Sequence, residues 1–470
     1  MFARHILRDD QIEPLAEAVL DILEDVGLLC QNDDIARALE VAGARVDYAS
    51  ERVKVPRKMI ADFVDGLRTE TAGHDDWGDE LVPPGLGSVD ALISQFYFDD
   101  EAWVKRSSNK ADFVTITRFA DALHGDQEVG HSLALTDVPP MLEPLEAGLL
   151  LAEYAHHPQA PFAWNVRQCD YLAEMGAILG IDRWFSYGAI CFAHPLRFDR
   201  DCADRFVRRA RDGVNTGLTA MPVAGATTPV TLEGFIAVAS AEHIATWFAA
   251  RALNPKVPLG GSMWAGSVDM KSGHVSYSAF DAMMYGFATV EFLRRWCGML
   301  VPIGSGEYCE ARVPGLYTAL EKAYKSVLTS AFTGQPLASG YGHVDNGSAF
   351  SPAQLLLDRE FGTAMQQYGR TADVTPENLA MPTIREVGIG LDTNYLEAEH
   401  TLRNFRSCLW LPQLIDRAGW NGCEGEKAAI DRAVARTKDL LASYRKPEGR
   451  DDQLAAMREV VARARRDLLG

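Results

Sequence analysis

The sequence of 470 residues lacks most of the signatures that assign chemistry outright. Its eight cysteines, Cys30, Cys169, Cys191, Cys202, Cys297, Cys309, Cys408 and Cys423, form no CxxC pair. In a long chain without an export signal they are expected to be reduced and mostly buried, which argues against cysteine-ligated zinc. The eleven histidines supply no HExxH, and only His156 and His157 are adjacent. There is no GxSxG nucleophile turn and no GxGxxG after a first strand. No run approaches the ~18 uninterrupted apolar residues of a membrane span. Positive charge is scarce as well: a formal net charge of −19 leaves no basic face for nucleic acid. Charges break up the opening "MFARHILRDDQIEPLAEAVL", so no signal peptide is expected there and the cytoplasm is the expected compartment.

What is present is periodicity. Residues 1–85 read as an N-terminal helical cap. "QIEPLAEAVLDILEDVGL" has helical apolar spacing and closes at Gly27, and Asn32 is placed to cap "NDDIARALEVAGA". "RVDYASERVKVP" alternates like a hairpin, and "PRKMIADFVDGL" opens a helix with proline in its first turn. After the Gly/Pro-rich "HDDWGDELVPPGLGS", short apolar runs recur at 91–98, 130–138, 160–166, 188–194, 216–224, 256–263, 299–305 and 336–343. Helix-period segments separate them, and Gly298 and Gly334 stand where left-handed C-caps belong. About eight strand–helix units predict an α/β fold, a TIM (β/α)8 barrel over 86–380. A doubly wound open sheet is the alternative. Residues 381–470 read as a C-terminal helical extension packed on the barrel, with a long amphipathic helix from about residue 393.

In such a barrel the site lies where strands end. That rule collects Tyr97, Phe98 and Asp99, then Thr136 and Asp137, Trp164 and Asn165, Phe192 and His194. It continues with Ser262 and Trp264, Glu307 and Tyr308, and Tyr341, His343 and Asp345. Aromatics recur at these ends and predict a π-lined cavity able to hold a quaternary ammonium by cation–π attraction, with Asp99, Asp137 or Glu307 adding Coulomb attraction. Paired carboxylates for a hydrolase or lyase are also available among Asp99, Asp137, Glu307 and Glu310. Cys309 has no paired base in sequence, and His194 and His343 lack a tight metal-ligand spacing.

"MPVAGATTPVTLEGFIAVASAEHIA" with "NPKVPL" resembles the strand-to-helix segment of the trimethylamine methyltransferase family. "DILEDVGLLCQNDDIARALEVAGARVD" with "VKVPRKMIADFV" is similar to that family's N-terminal cap. "GSAFSPAQLLLDRE" and "EHTLRNFRSCLWLPQLIDR" are similar to its C-terminal third. The resemblance implies a barrel that moves a methyl group from a methylated amine to the cobalt of a separate corrinoid protein, with no corrinoid bound permanently and a homo-oligomeric assembly. Founding members use pyrrolysine, whereas every residue here is standard. The non-pyrrolysine branch implies a quaternary amine: glycine betaine first, with proline betaine, carnitine and choline as alternatives. A non-corrinoid acceptor and a non-catalytic betaine-binding or sensing protein are further alternatives. On this reading Glu307, Tyr308 and Asp99 serve the methyl transfer, and Tyr97, Phe98, Trp164, Trp264 and Tyr341 line the cup. Asn165, His343 and Arg312 are candidates for the substrate's carboxylate. No DxHxxG motif is present to hold a corrinoid from below.

Overall fold

A computed structural model describes residues 5–73, 85–89, 92–304, 308–335, 338–368, 372–417 and 425–470. The described residues form a mixed α/β fold with many helices and four small sheets. Among the described residues only two of the expected strand runs pair over a full five residues, Thr216–Ala220 in parallel with Leu259–Met263. The others meet at single positions, all parallel and in chain order: Ser94 with Leu133, Val129 with Pro158, Phe162 with Ser186, and Met263 with Ile303. The Thr219 N–H donates to the Ile190 carbonyl, which joins the fourth run to the fifth. Gln335 brackets the backbone N–H and carbonyl of Ile303. On the other side His343 Nε2 reaches the Leu92 carbonyl, and a Cβ on Gly87 would lie 1.6 Å from the Gly340 oxygen. The runs are short and interrupted by Gly and Pro, which weakens continuous ladders, so among the described residues no sheet closes on itself.

The helices follow their sequence signals closely. Helix Asp33–Val41 is capped by Asn32, whose side-chain oxygen accepts from the Ile35 N–H. Arg45–Asp47 and Arg52–Lys54 form the expected hairpin. Phe280–Cys297 and Leu316–Thr333 end at Gly298 and Gly334, with φ of 75° and 76°. Leu232–Leu253 is buried over most of its surface because the 216–220 strand covers one side and the N-terminal helices cover the other. At the opposite end of the chain, Gly425–Ser443 packs on Lys110–His124 and Pro352–Tyr368, and Asp451–Leu469 packs on Val166–Leu179 and Glu143–Tyr154.

One expectation is corrected. The long amphipathic helix beyond residue 393 divides into a turn at Tyr395–Glu397 and a helix at Glu399–Cys408, with irregular chain up to residue 417. Pro412 disfavours helical geometry at Leu411. Helix Glu399–Cys408 buries none of its residues, so no packing offsets that break.

Candidate functional site

Trp264 follows directly on the strand Leu259–Met263, and its indole N–H donates to Ser262 Oγ at 3.1 Å. Its ring meets Tyr308 edge-on with centroids 5.1 Å apart, and the Tyr277 ring stands 5.2 Å from that of Tyr308. Such spacings are favourable aromatic geometry. Burial, then the nearby Cys191, pushes the Tyr277 hydroxyl pKa up, so it stays protonated at neutral pH. Two glycines admit these rings. A Cβ on Gly304 would lie 2.1 Å from atoms of the Trp264 ring, and one on Gly347 would lie 3.1 Å from Tyr308.

Gly347 belongs to a turn in which Asp345, Asn346 and Gly347 are all left-handed, with φ of 53°, 53° and 76°. Asp and Asn tolerate this region better than most residues, yet each non-glycine carries a cost of about 1 kcal/mol. The surroundings enforce the turn. Asp345 N–H donates to the Ala311 carbonyl and Asn346 N–H to the Cys309 carbonyl, both at 2.8 Å. Lys105 Nζ lies 2.5 Å from Asp345 Oδ2 and 2.8 Å from Ser348 Oγ. The same ammonium sits 4.2 Å from the centre of the Phe96 ring, so the site already holds one cation on an aromatic face.

A second aromatic pair stands at the end of the third run. Phe162 and Trp164 have centroids 4.4 Å apart, and Phe162 leaves no room for a Cβ on Gly188. The Trp164 indole N–H donates to Glu143 Oε2 at 2.8 Å. Burial raises the Glu143 pKa, but His131 and the N–H groups of Leu135 and Trp164 outweigh it and hold the carboxyl below its ordinary range.

The sequence-predicted residues fall in different places. Tyr308 and Trp264 are brought together, and Glu307 lies outside the described residues. Asp99 accepts the N–H groups of Glu101 and Ala102 and shapes its own turn. Tyr97 stacks under Arg106, and Phe98 is buried against Trp103. Thr136 donates to the Ser108 carbonyl, while Asp137 accepts the Lys110 N–H. The Asn165 oxygen caps the helix Val166–Leu179, which commits that atom. Phe192 is buried against Phe198 and Phe206. His194 accepts the Met221 N–H at Nε2 and donates from Nδ1 to Glu242, so both ring nitrogens are engaged. Burial, helped by Lys322, pushes the His343 pKa down to about 3, which leaves a neutral ring bonded to Leu92. Tyr341 is half-buried and Arg312 is exposed. Cys309 is fully buried, and burial pushes its thiol up to about 12.

Sequence reasoning missed Tyr277, Phe96, Lys105 and Glu143. Glu143 did carry a visible signal, as an acid opening the strongly apolar "EPLEAGLLLA" segment. Tyr277 lies between strand runs in the excursion that includes the short strands Gly266–Val268 and Val275–Ser276, and nothing marked that loop for the site.

Comparison with known proteins adds independent findings. The family model described as trimethylamine methyltransferase matches residues 2–469. A trimethylamine methyltransferase of Desulfitobacterium hafniense is 23% identical over 96% of this chain and 92% of its own length. One from Methanosarcina mazei is 26% identical over 97% of this chain and 94% of its own. A glycine betaine methyltransferase of Desulfitobacterium hafniense is 23% identical over 94% of this chain and 93% of its own.

Proposed function

The chain belongs to the trimethylamine methyltransferase family, and from that premise we propose that it removes a methyl group from a quaternary amine, glycine betaine first, and passes it to a corrinoid carried by a separate protein. That the enzyme is a methyltransferase acting on methylated amines follows from the family. The finer reading rests above all on the Trp264–Tyr308–Tyr277 cluster, in which Tyr308 stands 5.1 Å from the Trp264 ring and 5.2 Å from the Tyr277 ring. Aromatic faces attract a cation without needing a proton from it, which suits a nitrogen that carries four carbon substituents.

The chain's parallel runs are proposed to be the strands of a closed (β/α)8 barrel, with this cluster at the end where its strands finish. Loss of a methyl group from a quaternary ammonium leaves a neutral tertiary amine, so no acid is needed for the leaving group. The protein's task is to hold the cation, aim one methyl outward and exclude water. The rings of Trp264, Tyr277 and Tyr308 hold the charge. The enforced turn at Asp345–Gly347 fixes the Tyr308 side of the cup. A corrinoid, when bound, supplies the nucleophilic cobalt. Of the two histidines expected at the strand ends, neither is placed to hold that group: both His194 nitrogens are engaged, and His343 is buried and bonded to Leu92. The acceptor is therefore proposed to arrive with its own protein.

Incubation of the full chain with glycine betaine and reduced cobalamin tests this reading. Dimethylglycine formed only when both are present supports it. Turnover of trimethylamine with none of glycine betaine, choline or carnitine would refute the quaternary assignment.

A further inference from the structure

We propose that Glu143 is a positioning residue for cation recognition, acting through Trp164. The proposal rests on the reading that the mouth binds a cation, and goes beyond it by assigning a residue that touches no substrate. Glu143 is 4% exposed and occupies the first position of helix Glu143–Tyr154. There the helix dipole favours a carboxylate.

Both of its oxygens are used. Oε1 accepts the Leu135 N–H at 3.0 Å and His131 Nε2–H at 2.9 Å. The His131 tautomer follows from its other nitrogen, since Nδ1 accepts the Phe162 N–H at 3.4 Å. Oε2 takes the Trp164 indole N–H at 2.8 Å. The same buried group thereby orders Trp164 directly and its neighbour Phe162 through His131.

A purely architectural explanation is insufficient. Trp164 is 42% exposed, so much of its ring lies outside the core that an architectural bond would serve. A buried carboxylate is expensive to desolvate and would be an odd means of hydrogen-bonding an exposed indole. What the carboxylate provides is a fixed ring and a more electron-rich one. A charge-assisted bond from the indole N–H pushes electron density into the ring and strengthens its negative face. Trp264 is held in the same way, by its indole N–H on Ser262 Oγ, so both tryptophans are anchored by their polar edge. Glutamine cannot replace Glu143, because its amide offers one acceptor oxygen to three donors.

The test uses the full chain, choline as cation and 3,3-dimethylbutan-1-ol as its neutral isostere. E143Q should bind choline about tenfold more weakly, the range expected for losing one cation–π contact, with the neutral alcohol changed less than about twofold. W164F should show a similar loss, and E143Q added to W164F should cost no more than about twofold further. E143D, which keeps the charge on a shorter arm, should recover part of the affinity. A tenfold loss from E143Q that persists undiminished in the W164F background would overturn the proposal, as would wild-type affinity in E143Q. The ligand-free difference in tryptophan emission between each protein and its W164F counterpart reads positioning by itself. If wild type binds no quaternary amine, the cation reading fails; an unchanged Trp164 emission and quenching in E143Q would then separately sink the positioning claim. Thermal melting of E143Q and E143D confirms that folded protein is being compared.

Discussion

Replacing Gly304 by alanine should damage cation binding without touching any ring chemically. The added Cβ would sit 2.1 Å from Trp264 ring atoms, whereas ordinary contact begins near 3.4 Å, so the indole must retreat by about 1.3 Å. The φ of Gly304 is not in the left-handed region, so the effect is steric and not a backbone penalty. A cation placed about 4.5 Å from the ring centre would then stand near 5.8 Å, and charge–quadrupole attraction falling with the inverse third power would drop to about half. From a desolvated contact of ~2 kcal/mol that is a loss of ~1 kcal/mol, or about fivefold in Kd. Overpacking adds a separate cost of about 1–3 kcal/mol in stability. Calorimetric titration with tetramethylammonium chloride measures the first and thermal melting the second. A Gly304→Ala protein that melts lower yet binds tetramethylammonium as wild type does would refute the assignment of Trp264 to the cup. W264A serves as the positive control.

Asp100 should make stability depend on pH in an unusual direction. Burial pushes its pKa from 3.8 to about 6, against donors from Ser351 and Ala353. The folded state then holds the proton more tightly than the unfolded one, so its contribution is present below 3.8 and lost as pH rises through about 6. Urea unfolding should show a decline of about 1–3 kcal/mol over that window, flattened in D100N. Lys322 and Asp358 are both fully buried and 2.7 Å apart, so K322M should cost about 3–5 kcal/mol while K322M/D358L recovers much of it; a loss below about 1 kcal/mol in K322M would contradict this. Cys309 should resist thiol reagents at pH 8 in the native protein while exposed Cys408 reacts, with Cys309 labelled only on unfolding.

Local elements were legible because their signals are local. The Asn32 cap, the 45–54 hairpin and the glycines ending two helices each need only a few neighbouring residues. Several of the apolar runs do meet their neighbours in parallel, but the thin pairing between them depends on close approaches such as that of Gly87 to Gly340. The contact between Trp264 and Tyr308 was legible because both were expected just after strand runs. The site was illegible at Tyr277, which enters from an excursion, and at Lys105, whose role depends on an acid 240 positions away. Asn165 and Asp99 have the residue types of ligand-binding groups, but their oxygens serve the backbone of the next element. Sequence alone cannot separate a polar group facing a ligand from one capping a helix.

The buried apolar residues fall into two separate clusters. One unites residues 7–67 with 190–303, and the other unites 89–187 with 319–357 and 414–464. Both units are therefore discontinuous and alternate along the chain, with the N-terminal segment clamping the first and the C-terminal helices the second. Such an arrangement should unfold in two stages, each half losing its structure as its own clamp releases. Trp264 extends from the first half and Trp164 from the second. A ligand gripped by both would tie together units that otherwise melt independently, merging two calorimetric transitions into one.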